Sequence, residues 1–243
     1  LTPAVEAFRA RLRALAVKPE AEVPAGLRAT LRPYQGNGLA WLQFLDALGA
    51  GGVLADDMGL GKTLTTLALL LWRKERDGAA PTLVVAPTSV AGNWVREAAR
   101  FTPDLAVLLY HGAAREKDAA ALARADIVVT TYTLLRRDLP LLGSVRFRYA
   151  VLDEAQNIKN AGAQAAQAAR ELDAERRLAL SGTPVENHLG ELWAIMDFAN
   201  PAMLGTAREF AARYEKPITA DPASPAAQRL RGLVRPFILR RTK

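Results

Sequence analysis

Apolar residues follow two rhythms along this chain. Val5, Phe8, Leu12 and Leu15 recur at helical spacing, which predicts an amphipathic helix ended by Pro19 and Pro24. Short apolar runs follow at 52–55, 83–86, 107–110, 127–130, 150–152 and 178–180. They are too short for helices, rich in Val and Leu, and do not alternate with polar residues, as expected of strands buried on both faces of a parallel sheet. Between them, 64–76, 90–100, 113–124 and 163–172 carry helical patterns. Strand and helix taking turns predict an α/β fold with helices on both faces of the sheet. The strand C-terminal ends should then share one edge, where ligands bind. Segment 216–228 holds Pro217, Pro222 and Pro225 among small residues and reads as an exposed loop.

Composition narrows the class. The 243 residues are 50% hydrophobic and 23% charged, which suits one large core or two modest ones. A net charge of +7 suits a polyanionic partner, and equally a solvated basic surface. With no cysteine, a disulfide scaffold and a thiolate metal site are excluded, and a reducing cytoplasm, the compartment expected here, is permitted but not shown. His111 and His188 are the only histidines, too few for an ordinary zinc site. No apolar stretch reaches the roughly 18 residues of a membrane span. The opening residues carry Arg9, Arg11 and Arg13 without an apolar signal core or initiator Met, and read as an internal cut.

The chemistry begins at Asp56-Asp57-Met58-Gly59-Leu60-Gly61-Lys62-Thr63, between the first apolar run and a helical stretch opening near Leu64. Gly59 and Gly61 permit a tight turn and close approach to a polyphosphate. Backbone N–H groups and the positive end of the helix then face the phosphates. Lys62 is placed to reach the β- and γ-phosphates, and the Thr63 hydroxyl to ligate Mg²⁺. The general pattern has glycine where this chain has Asp56, and a helix-capping turn is the competing reading. Further on, the run ending at Leu152 delivers Asp153-Glu154-Ala155-Gln156. An aspartate at a strand end completes a Mg²⁺ shell, and the adjacent glutamate polarises the attacking water. Alone, such carboxylates are commonly solvated turn residues; together with Lys62 and Thr63 they form the two halves of a nucleotide site. Ser181-Gly182-Thr183-Pro184 follows the last run, a compact turn suited to sensing a γ-phosphate, or simply a turn.

These residues together resemble the Snf2 family of superfamily 2 helicase-like ATPases from Leu31 onward. The resemblance implies a RecA-like P-loop NTPase lobe over 26–243, a mainly parallel sheet with helices on both faces, after a helical lead-in at 1–25. Leu31-Arg32-Pro33-Tyr34-Gln35 is similar to the family's opening motif, in which the glutamine reads adenine, pointing to Gln35. The run 57–63 resembles motif I, with Asp57 in place of a more usual glutamate, and for that motif a missing early glycine is normal. Gln35, Met58, Gly59, Leu60, Gly61, Lys62, Thr63 and Leu64 form the implied ATP set, with Mg²⁺ on Thr63 and Asp153 and catalysis by Lys62, Asp153 and Glu154. Val84-Val85-Ala86-Pro87-Thr88-Ser89 with Asn93 and Trp94, and Val129-Thr130-Thr131-Tyr132, resemble motifs Ia and Ib. They imply backbone contacts to double-stranded DNA through Thr88, Ser89, Asn93, Trp94, Thr131 and Tyr132. For Trp94 core packing competes with that role.

The continuation Ile158-Lys159-Asn160 is a Snf2 trait and adds Lys159 to the DNA-contacting set. Arg115, Arg136 and Arg137 are further candidate cations. Ser181, Gly182 and Thr183 with Gln156, which replaces the more usual histidine, are the implied coupling residues. Trp41, Trp72 and Trp193 read as packing residues. Phe237-Ile238-Leu239-Arg240-Arg241 is similar to the sequence that closes the first lobe. A second lobe supplying arginine fingers is implied but not contained in the chain, so slow or no hydrolysis is expected of these residues alone. Three functions stay open: a double-stranded-DNA translocase, a remodeller of protein–nucleic-acid complexes such as one recycling RNA polymerase, and a nucleotide-insensitive interaction domain.

Overall fold

The computed structural model describes residues 20–160, 162–182 and 188–242. The helix expected from Val5 to Leu15 lies outside them. Seven strands form one parallel sheet: β1 (Gly52–Leu54), β2 (Thr82–Ala86), β3 (Val107–Leu109), β4 (Ile127–Thr131), β5 (Phe147–Leu152), β6 (Ala174–Leu180) and β7 (Ile238–Leu239). Their order is β3-β4-β2-β5-β6-β1-β7, every pair parallel. The expected sheet is therefore present, extended by β7 and by a longer β6 whose charged first half lies beyond the apolar run.

Helices α1 (Pro33–Leu48), α2 (Lys62–Asp77) and α3 (Thr88–Phe101) cover one face. The other carries α4 (Ala119–Arg124), α5 (Tyr132–Arg137), α6 (Leu139–Leu142), α7 (Gln164–Glu171), α8 (Leu189–Ala199), α9 (Ala207–Phe210), α10 (Lys216–Ala220) and α11 (Pro225–Val234). Successive strand side chains point to opposite faces, so one strand feeds two cores. Leu83, Val85, Val128, Ala150 and Leu152 pack toward the second group of helices. Val84, Ala86, Ile127, Val129 and Val151 pack toward the first. With both faces covered, no polar alternation survives, which is why the strands read as unbroken apolar runs.

Two expectations are corrected. The helix predicted over 113–124 begins only at Ala119, because the Glu116 carboxylate accepts the backbone N–H groups of Lys117 and Asp118 and the Asp118 side chain caps Ala120. Such local side-chain bonds compete with helix formation. Segment 216–228, expected as a loop, is largely helical: Pro225 sits in the first turn of α11, where a missing N–H costs nothing, and Pro217 lies just after a π turn, Ala211–Glu215, that runs on into α10. Trp41, Trp72 and Trp193 pack as expected, each donating its indole N–H, to Pro236 O, Glu22 Oε2 and Gly205 O.

Candidate nucleotide site at the strand C-terminal edge

Because every strand is parallel, the segments after β1, β2, β4, β5 and β6 emerge on one edge. The phosphate loop starts late. Ala55 N donates to Leu239 O at 2.8 Å and Ser181 N to Leu54 O at 3.0 Å, so sheet pairing holds the chain on both sides up to Asp56. Gly59 and Gly61 have φ of 87° and 81°, the left-handed region open to glycine at no steric cost. Gly61 also has no room for a side chain, since a Cβ would lie 2.4 Å from Gln35 Nε2. As the N-cap of α2 it brings no capping side chain, and the first-turn amides of Lys62, Thr63 and Leu64 are left to a ligand or water. Thr65 and Thr66 turn their hydroxyls back onto Gly61 O and Lys62 O. Met58 is exposed and Leu60 buried.

Gln35 belongs to α1 yet lies against the loop. It is buried, accepts Arg32 N at 2.9 Å, and donates its amide to Leu60 O at 3.3 Å. Lys62 Nζ donates to Asp56 O at 2.8 Å, so the loop's own carbonyl occupies the ammonium that a phosphate would attract.

The acidic pair meets this loop. Asp153 N donates to Val85 O, prolonging the sheet so that the carboxylate emerges at its edge. That carboxylate is buried and accepts Trp94 Nε1 and Glu154 N, both at 2.9 Å. Burial raises its pKa, against which the Trp94 hydrogen bond, the Glu154 N–H and the charge of Lys62 all act. Glu154 takes φ 50°, ψ 57°, a strained left-handed conformation for a residue with a side chain, of the kind found at functional sites. The Tyr132 hydroxyl donates to Asp153 O at 2.8 Å and braces that kink. Glu154 Oε2 accepts Gln156 Nε2 at 2.6 Å, and Gln156 Oε1 accepts Ser181 Oγ at 3.3 Å. A Cβ placed on Gly182 would lie 3.8 Å from both Glu154 Oε2 and Lys62 Nζ and 3.2 Å from Met58 Cγ. Three distant segments thus converge on one point. Thr183 lies outside the described residues.

This donor set fits a magnesium polyphosphate. It offers an ammonium, uncapped helix amides and left-handed glycines for the phosphates. Thr63 Oγ1 and the Asp153 carboxylate offer oxygen to the metal. Among the described residues no cluster of three or more His, Cys, Asp or Glu could hold a metal alone. The metal would therefore keep waters or phosphate oxygens, as Mg²⁺ characteristically does. Depressions elsewhere are different in character: one of about 510 Å³ is lined by Leu192, Ile218, Leu230 and Val234, away from the phosphate loop.

The segments expected to contact DNA divide. Thr88, Ser89, Asn93 and Lys159 are exposed. Thr88 and Thr131 line a depression of about 490 Å³ with His111 and Arg137, whereas Lys159 borders a separate one beside Trp193. Trp94 and Tyr132 turn their polar groups inward. Trp94 is 1% exposed and holds Asp153, while the Tyr132 hydroxyl points inward to the acidic turn. Thr131 is buried and caps α5 by accepting Leu134 N. Arg115 is engaged by Asp138 at 2.8 and 3.1 Å, so it is not a free cation. The packing role of Trp94 had a signal in the sequence: Ala91, Trp94 and Ala98 form the buried stripe of α3. That of Tyr132 had none.

The SNF2-related domain family matches residues 34–243. YwqA of Bacillus subtilis, named provisionally as an ATP-dependent helicase/translocase, is 48% identical over 229 residues, covering 93% of this chain and 25% of that protein. The TATA-binding protein-associated factor MOT1 of Saccharomyces cerevisiae is 39% identical, covering 91% and 13% respectively. The chain therefore spans a quarter or less of these relatives. The Sulfolobus solfataricus SWI2/SNF2 ATPase core in complex with double-stranded DNA is 43% identical with a TM-score of 0.84, covering 90% of this chain and 46% of that one.

Proposed function

The chain belongs to the SNF2-related domain family, and from that premise we propose that it is the ATP-binding lobe of a translocase that couples ATP hydrolysis to movement on double-stranded DNA. The observation that carries this reading is the convergence of Lys62, Glu154 and Gly182 on one point of the sheet edge. In this reading residues 26–243 form the lobe behind a lead-in at 1–25. Lys62 and the amides after Gly61 bind the β- and γ-phosphates, and Gln35 orients the base. Thr63 and Asp153 would hold Mg²⁺, which when bound draws charge from the transferred phosphate. Glu154, held by Gln156, orients the attacking water, and the Gln156–Ser181 contact carries the state of the site toward the 181–183 turn. Thr88, Ser89, Asn93 and Lys159 face the DNA backbone, while Thr131 caps α5 behind them. The Sulfolobus core in complex with double-stranded DNA supports that partner, and the length of that chain beyond the matched 46% leaves room for a second lobe to close on this edge. A cytoplasmic location goes with this reading; among the described residues no helix is long and apolar enough to cross a membrane. Similarity to a TATA-binding protein-associated factor supports a closely related reading, in which the same motor displaces protein from DNA.

The test is titration with a fluorescent nucleotide, with and without Mg²⁺. Lys62→Ala should weaken binding about tenfold to a hundredfold, the worth of a charge-assisted hydrogen bond. Glu154→Gln should bind like the unaltered chain. Equal binding by all three would favour an interaction domain instead.

A further inference from the structure

Asp56 stands where a phosphate loop ordinarily carries glycine, and its side chain is wholly buried. Arg241 meets both of its carboxylate oxygens. The Arg241 backbone N–H and Nε donate to Oδ1 at 3.0 and 2.9 Å, and Nη2 donates to Oδ2. The same guanidinium donates from Nη1 to Tyr34 O and lies 5.4 Å from the Tyr34 ring. Gly38 makes the space: a Cβ there would lie 2.7 Å from Nη1. A buried ion pair is weak evidence of added stability, so this slot calls for a different account.

That account lies in what the pair touches. The Asp56 carbonyl holds Lys62 Nζ. Asp57 N donates to Arg241 O at 3.1 Å, so the segment after β7 runs alongside the start of the loop. Tyr34 immediately precedes Gln35, whose amide reaches Leu60 O. Through one guanidinium, then, the entry of the phosphate loop and the start of the helix carrying Gln35 are tied together.

We propose that Arg241 is a positioning residue for the nucleotide, locking Asp56 and the α1 N-terminus so that Lys62, the loop amides and Gln35 converge on one ligand. This rests on the nucleotide reading of the phosphate loop. Coupling between sites is reciprocal, so segment 239–242 in turn tightens when the loop is filled.

The full chain is titrated with N-methylanthraniloyl-ADP and Mg²⁺, unaltered and as Arg241→Lys and Gly38→Ala, each at a temperature where its melting curve shows it folded. Arg241→Lys keeps the charge but loses the fork that meets both oxygens. Gly38→Ala keeps every charge and favours the helix, while its methyl group displaces the guanidinium. Both should bind about tenfold more weakly, the scale of one charge-assisted hydrogen bond. Amide hydrogen exchange at 239–242 should slow on saturation with the nucleotide in the unaltered chain and not in Gly38→Ala. Unchanged affinity in folded Gly38→Ala, or exchange at 239–242 indifferent to nucleotide in the unaltered chain, overturns the proposal. An unaltered chain that binds no nucleotide at all overturns the phosphate-loop reading itself, before any variant is compared.

Discussion

The phosphate loop and the segments that follow β2 and β4 occupy the same sheet edge, but they use their polar groups in opposite ways. Around Gly59–Thr63 the backbone is shaped by two left-handed glycines and an uncapped helix start, so its donors point outward to a ligand. After β2 and β4, Trp94, Thr131 and Tyr132 point inward, to Asp153 Oδ2, Leu134 N and Asp153 O. One region presents chemistry directly. The other holds the acidic turn in place from behind, and leaves only its outer residues, Thr88, Ser89 and Asn93, for a partner. A motif residue can thus serve a site without facing its ligand.

The largest test of this contrast is Trp94→Phe, which keeps a ring in the α3 stripe and deletes the N–H. A buried carboxylate losing a donor costs about 1–3 kcal/mol, so denaturant midpoints should fall. Affinity for the Mg²⁺ nucleotide should fall with them, and DNA affinity should hold. Tyr132→Phe should do the same on a scale nearer 1 kcal/mol. A selective loss of DNA binding in either variant would return these residues to the DNA surface. Next in size is Lys159→Ala, which should weaken DNA binding a few-fold and lower the salt slope by about one, with nucleotide affinity untouched. Filter-binding or anisotropy titrations over a salt series would measure it.

The smallest effect concerns Arg115. Its guanidinium beside Asp138 holds that carboxyl below the usual carboxylate range. A folded value depressed below the unfolded one adds stability above about pH 4 and forfeits it as pH falls through the lower folded value. Urea midpoints should therefore drop more steeply on acidification in the unaltered chain than in Asp138→Asn. Parallel curves would mean that Arg115 is free to face a phosphate.

Much of the fold was legible because its signals are local. Residues 83–86 and 127–130 read as buried strands since both sheet faces are covered, and the turn at Gly59–Gly61 announces itself by residue type. The helix start at Ala119 was missed because Glu116 and Asp118 compete for backbone donors, a contest that apolar spacing does not register. The helix at Pro225 was missed because proline marks a helix beginning as readily as a break, and the one at Pro217 because a π turn leads the chain into it without interruption. At the candidate site, the meeting of the Lys62 loop with the Asp153-Glu154 turn was legible from spacing and strand context. The left-handed Glu154 and the bracing Tyr132 were not, since neither follows from a neighbour in the chain.

Taken alone, the amino-acid order determined the alternation of strand and helix and the two ends of the candidate nucleotide site, because periodicity and turn chemistry act over a few residues. Only the tertiary structure decided which polar side chains face a ligand and which face the backbone behind it. It alone brought Arg241 to Asp56 across 185 residues of chain. The reason is physical: a hydroxyl, an indole N–H or a guanidinium takes whichever partner the packed strands set beside it, and that neighbour is chosen by the sheet order rather than by position along the chain.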